Sequence, residues 1–151
     1  MKNDEFKKIL LNAIDREVES YALYTALADK VKDSALKTTF KELAQEETYH
    51  RKTLQEYLTG VKKELKFDEV KDYKLSNLLE SPSPTSDMKP LDGLKLAIKK
   101  EEEAMEMYEK LAEASVDGEQ KKIFSELAKM ERGHKARLED LYTNSAFAEA
   151  W

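Results

Sequence analysis

The sequence predicts an all-α fold of four long helices, arranged as two antiparallel hairpins joined by one long crossover. Composition is the first reason. Ala, Glu, Lys, Arg and Leu fill 81 of 151 positions, a level typical of long helices, and only four Gly and three Pro interrupt them. Periodicity is the second: apolar residues recur at alternating intervals of four and three, the signature of one buried helix face. The third is an internal repeat. Residues 13–54 align without a gap on residues 97–138, a shift of 84 positions, and 16 of the 42 pairs are identical.

The first helix is expected roughly from Asn3 to Val31 and the second from Ser34 to Leu58. The turn between them, near Asp33, is short enough to force an antiparallel return. Inward positions on the second helix read Leu36, Phe40, Leu43, Glu47, His50, Leu54 and Tyr57. On the first, Glu17 falls between Ala13 and Tyr21 on the inward face. Gly60 to Lys89 has another character. Its run Ser81-Pro82-Ser83-Pro84-Thr85-Ser86 cannot be helical throughout, and one short helix over Val70 to Glu80 is the most it adds. The segment is long enough to run the length of a bundle.

The third helix is expected from Pro90 to Ser115 and the fourth from Glu119 to Thr143, turning at Asp117-Gly118. Asp117 and Gln120 have the spacing of a capping box. The fourth helix repeats the seam as Gln120, Phe124, Leu127, Glu131, His134, Leu138 and Leu141, and the third sets Glu101 between Ile98 and Met105. Residues 1–151 therefore read as one domain, with 60–89 a crossover linker and 144–151 a C-terminal tail. Phe147 and Trp151 suggest that the tail docks on another surface.

The seam carries four carboxylates and both of the chain's histidines where the pattern calls for apolar side chains. Burying one uncompensated charge costs several kcal/mol even after relaxation, in a domain stable by about 5–15 kcal/mol in all. No Lys or Arg is expected at neighbouring inward positions to balance them. Two divalent cations would balance four carboxylates and leave the histidines neutral as ligands. In Glu-x-x-His the two side chains share one helix face, about 5–6 Å apart at Cβ, so one carboxylate can bridge two metals while the imidazole caps one. Oxygen and imidazole donors suit iron or manganese.

Taken singly, each glutamate would be an ordinary exposed helix residue and each histidine a satisfied core or surface residue. Their coincidence in the repeat, Glu17 with Glu101, Glu47 with Glu131 and His50 with His134, favours metal. Glu19 with Glu103 and Glu42 with Glu126 also coincide, but fall off the seam and are expected in solvent. Met105 and Met107 read as packing or surface residues.

Glu17-x6-Tyr24 with Glu47-x2-His50, and Glu101-x6-Tyr108 with Glu131-x2-His134, resemble the ferritin-like di-iron carboxylate family. That class takes one Glu from each of two helices and Glu-x-x-His from each of two others. The rubrerythrin branch is the most similar, over roughly residues 3–58 and 90–143. The resemblance implies a ferritin-like four-helix bundle holding two iron ions, with manganese suited to the same ligands. It implies that Glu47 and Glu131 bridge, that Glu17 and Glu101 are terminal, and that His50 and His134 each bind one metal. Tyr24 and Tyr108 would hydrogen-bond to the ligand carboxylates, though either also fits as a plain core tyrosine. The implied activity is an oxidoreductase that reduces hydrogen peroxide or dioxygen with electrons from an external donor.

The chain also departs from that family. A further carboxylate expected one turn after Glu101 is replaced by Ala104, and Glu102 and Glu103 are rotated about 100° and 200° off the face. The rubredoxin-like domain of rubrerythrins needs four cysteines, and this chain has none. Ser145 to Trp151 is too short for the fifth helix of storage ferritins. Two other readings therefore stand beside the first: a ferroxidase or iron- or manganese-binding protein without peroxidase turnover, and a metal-free helical interaction module.

With a net charge of −5 and a pI of about 5.3, a basic footprint for nucleic acid is missing. Met1 to Glu19 is amphipathic and charged, unlike a leader peptide, and no apolar run approaches the roughly 20 residues of a membrane span. A cytoplasmic homodimer is expected.

Overall fold

Four helices make up the regular structure of the computed structural model, which describes residues 2–68 and 89–144. They are α1 (Asn3–Lys30), α2 (Ser34–Leu58), α3 (Pro90–Ala114) and α4 (Gly118–Asn144). Every bound lies within one residue of the expected one, and no strand occurs among the described residues.

Local chemistry explains the boundaries. Asp33 Oδ2 accepts the Leu36 N–H at 2.9 Å, capping α2. Asp117 Oδ1 accepts the N–H groups of Glu119 and Gln120 at 3.0 Å, the forward half of the expected capping box. Leu36 and Gln120 are 84 positions apart, so the repeat preserves the cap as well as the seam. Pro90 opens α3 at a position whose N–H has no helical partner. Asp4 and Glu5 in the first turn of α1, and Lys30 in its last, complement the helix dipole. After α2, Gly60 takes φ 85°, a left-handed conformation that a side chain would disfavour. The chain then folds back so that the Lys62 N–H reaches the Glu56 carbonyl at 3.0 Å.

The chain divides into two compact units, Met1–Leu65 and Lys66–Trp151. In the first, α1 packs antiparallel on α2. Leu10, Ala13, Tyr24 and Leu27 of α1 are buried, as are Leu36, Phe40, Leu43 and Leu54 of α2. Lys37 Nζ ties the hairpin by donating to the Ala28 carbonyl at 3.0 Å. In the second, α3 packs antiparallel on α4. Leu94, Ile98 and Tyr108 are buried there, with Phe124, Leu127 and Leu138. Arg132 Nη2 donates to Glu109 Oε1 at 3.0 Å across that hairpin. Each fully buried large apolar side chain contributes roughly 1.5–3 kcal/mol, so this repeated seam outweighs any single ion pair.

Three expectations need correction. Tyr21 shares a helix face with Glu17 yet is 45% exposed, because it borders a cleft rather than the core. Glu126 is buried, not solvated. Phe67, beyond α2, comes against α4 there: its N–H donates to Glu126 Oε2 at 2.9 Å while Lys129 Nζ lies 3.3 Å from Oε1. A basic residue also stands beside the seam: Lys135, next to His134, is 1% exposed. It is stabilised there by Glu139 one turn on, at 3.4 Å.

Of the crossover linker, residues 60–68 carry no helix, and Leu65 is buried. The short helix expected over Val70 to Glu80, the Ser-Pro run, and the tail with Phe147 and Trp151 lie outside the described residues. No described helix is long and apolar enough to cross a membrane.

Candidate metal centre

Each hairpin brings three ligand-type residues together. In the first unit α1 supplies Glu17, and α2 supplies Glu47 and His50 from one face. A ligand atom from each lies within 4.8 Å of the others. His50 Nδ1 is 3.9 Å from Glu17 Oε2. In the second unit α3 supplies Glu101, and α4 supplies Glu131 and His134, gathered equally closely. His134 Nδ1 is 3.5 Å from Glu101 Oε2 and 3.9 Å from Glu131 Oε2. The same ring nitrogen faces the carboxylates in both halves.

These separations exceed the 2.7–3.2 Å of a nitrogen–oxygen hydrogen bond. They fall within reach of one cation bonded to both atoms at roughly 2.0–2.2 Å. The four carboxylates are all at most 4% exposed. Glu101 Oε2 is sealed from solvent, with no hydrogen-bond donor on it among the described residues. Burial, and then the neighbouring Glu131 carboxylate, push the Glu101 carboxyl well above its ordinary 4.5, with His134 pulling the other way. A carboxylate kept charged here needs a positive partner, and the donor set of two oxygen ligands and one imidazole per half fits a hard or borderline divalent cation.

The six expected ligands thus fall into two triplets in register. Tyr24 and Tyr108, two turns on from Glu17 and Glu101, are buried to 1% and 0% exposure. Ala104 is buried with only a methyl group to offer, Glu102 is half-buried and Glu103 exposed, as their rotation off the face requires. Neither half gains a seventh ligand from them. Lys135 and Glu139 were invisible as site neighbours in the sequence. A Lys and a Glu four residues apart usually decorate a helix surface, and nothing local marks this pair as buried.

Residues 8–142 match the family described as rubrerythrin. The chain belongs to the rubrerythrin family. The match takes in all of α2 and α3, most of α1 and α4, and every residue of both triplets, so the all-α fold is the ferritin-like four-helix type. Neither the curated proteins nor the solved structures provide a match. Within the rubrerythrin family, a buried cluster of glutamates and histidines fits a di-iron carboxylate site.

Proposed function

We propose that the two triplets together hold two iron ions and that this rubrerythrin-family protein uses them as an oxidoreductase acting on hydrogen peroxide. The observation that supports this most is the duplication itself. Two Glu-Glu-His triplets, in register in one chain and with all four carboxylates buried, carry the charge and donor types that two divalent ions require.

Glu47 and Glu131, each one turn from a histidine, would be the carboxylates shared between ions, with Glu17 and Glu101 as terminal ligands. His50 and His134 would each hold one ion through a ring nitrogen, with Nδ1 facing the carboxylates. Tyr24 and Tyr108 fix the ligand carboxylates through their hydroxyl groups. When bound, the iron pair supplies the two electrons that break the O–O bond. Reduction of hydrogen peroxide by two electrons would also take up two protons and yield two water molecules. An external donor would return the electrons. The working form is a cytoplasmic homodimer.

Ala104 supports a second reading. With a methyl group where the family carries another carboxylate, the site would bind and oxidise ferrous iron without sustained peroxidase turnover. Stopped-flow oxidation of the ferrous-loaded protein by peroxide and by dioxygen separates the two. Faster oxidation by peroxide supports the peroxidase; faster oxidation by dioxygen supports the ferroxidase. Dioxygen release from a manganese-loaded protein would point instead to catalase chemistry.

A further inference from the structure

The repeat is symmetric in its ligands and asymmetric in what covers them. Between α1 and α2 lies a cleft of about 280 Å³, with Glu17 and Glu47 among its lining and Val18, Tyr21, Thr48 and Arg51 around them. Val18 is 43% exposed and Tyr21 45%. The cleft therefore connects the protein surface with two of the candidate ligands.

Shifted by 84 positions, Val18, Tyr21, Thr48 and Arg51 become Glu102, Met105, Arg132 and Lys135. There the same sites are closed or occupied. Met105 is 5% exposed and Lys135 1%, while Arg132 is held by Glu109 at 3.0 Å. Lys135 is drawn down onto Glu139 at 3.4 Å. The counterpart of Glu139 in the first unit is Gln55, so Arg51 has no carboxylate one turn on to fold it away. The histidines follow the same division: the His50 side chain is 16% exposed and that of His134 3%.

We infer that the α1–α2 cleft is the approach by which hydrogen peroxide reaches the site, with Tyr21, Thr48 and Arg51 selecting what passes. This rests on the function proposed above. Each water-sized molecule takes about 30 Å³ of liquid volume, so the cleft admits peroxide with some of its hydration. The Arg51 guanidinium is always charged and only donates hydrogen bonds, the Tyr21 hydroxyl both donates and accepts, and Thr48, whose hydroxyl donates to the Ala44 carbonyl at 3.4 Å, offers an acceptor. That set favours a small neutral oxygen compound. It opposes a hydrated ferrous ion, which would meet the positive charge of Arg51 on the way in.

The test compares Val18→Trp and Thr48→Trp, which fill the cleft from exposed positions, with Glu102→Trp at the equivalent of Val18. Each iron-loaded protein is assayed for iron content, for azide association with the oxidised form by absorbance, and for oxidation of the ferrous form by peroxide. Both cleft variants should keep the parent's iron content yet slow azide association and peroxide oxidation by roughly tenfold or more, within the one to three decades over which on-rates vary among variants of a site. Glu102→Trp should stay within about twofold. Unchanged rates in both cleft variants, or equal slowing in Glu102→Trp, would overturn the inference while leaving the iron site standing. A parent protein that takes up no iron would instead defeat the proposed function.

Discussion

His134 Nδ1 stands 3.5 Å from Glu101 Oε2, both side chains nearly sealed from water. A carboxyl group shut away from water with a second carboxylate beside it is a source of instability unless a positive charge lies between them. The metal-free protein should show that instability in its response to pH. Burial and Glu131 raise the Glu101 carboxyl well above 4.5. Between the unfolded and folded values the folded chain keeps a proton that the unfolded chain has released. Stability contributed by this group is therefore present at low pH and falls as pH rises through the folded value. Urea unfolding of chelated protein should give a lower midpoint at about pH 8 than at about pH 5.5. An equal or higher midpoint at the upper pH contradicts the buried-carboxylate account.

Metal should reverse that weakness. A ligand that binds only the folded state stabilises it by about 2.7 kcal/mol at one hundred times its dissociation constant. Calorimetric melting with ferrous iron or manganese, against the same protein in chelator, should show a clear rise in midpoint. No difference between the two would favour the metal-free interaction module.

Lys135 and Glu139 form a pair with both side chains 1% exposed. Replacing Lys135 by Met takes the ammonium away from the buried Glu139 carboxylate, and the expected loss is about 3–5 kcal/mol. Adding Glu139→Leu should restore most of that stability, because the buried carboxylate is removed along with the lysine. Equal instability of the single and double variants, measured by denaturant unfolding, would show that packing rather than charge matters there.

The two caps offer a matched comparison. Asp33→Ala and Asp117→Ala each remove a side-chain acceptor from a helix start and should each cost about 1 kcal/mol. The two sites lie in different units, so the double variant should show close to the sum. Unchanged unfolding midpoints would mean that water replaces both caps.

The four helices and the gathering of Glu, Glu and His in each hairpin could be read from the sequence because each rests on local spacing. The interval from Glu47 to His50 puts both on one face whatever else the chain does, and Asp33 and Asp117 mark helix starts through their own hydrogen bonds. Glu126 could not be read that way. Its burial depends on the Phe67 N–H, 59 residues away in the chain. Lys135 was hidden because one Lys-to-Glu spacing serves both exposed and buried pairs. Tyr21 and Met105 hold the same place in the repeat, and only the surrounding structure shows one exposed and the other covered.

The central claim is that Glu17, Glu47 and His50 and their repeats Glu101, Glu131 and His134 hold one pair of iron ions. Iron analysis of the anaerobically loaded protein, its Glu47→Ala variant and its His134→Ala variant tests this directly. The account predicts close to two irons per chain in the parent, with both variants losing that pair although each changes only one half of the repeat. Undiminished iron in either variant, or loss of one iron alone with the other bound as before, would contradict it.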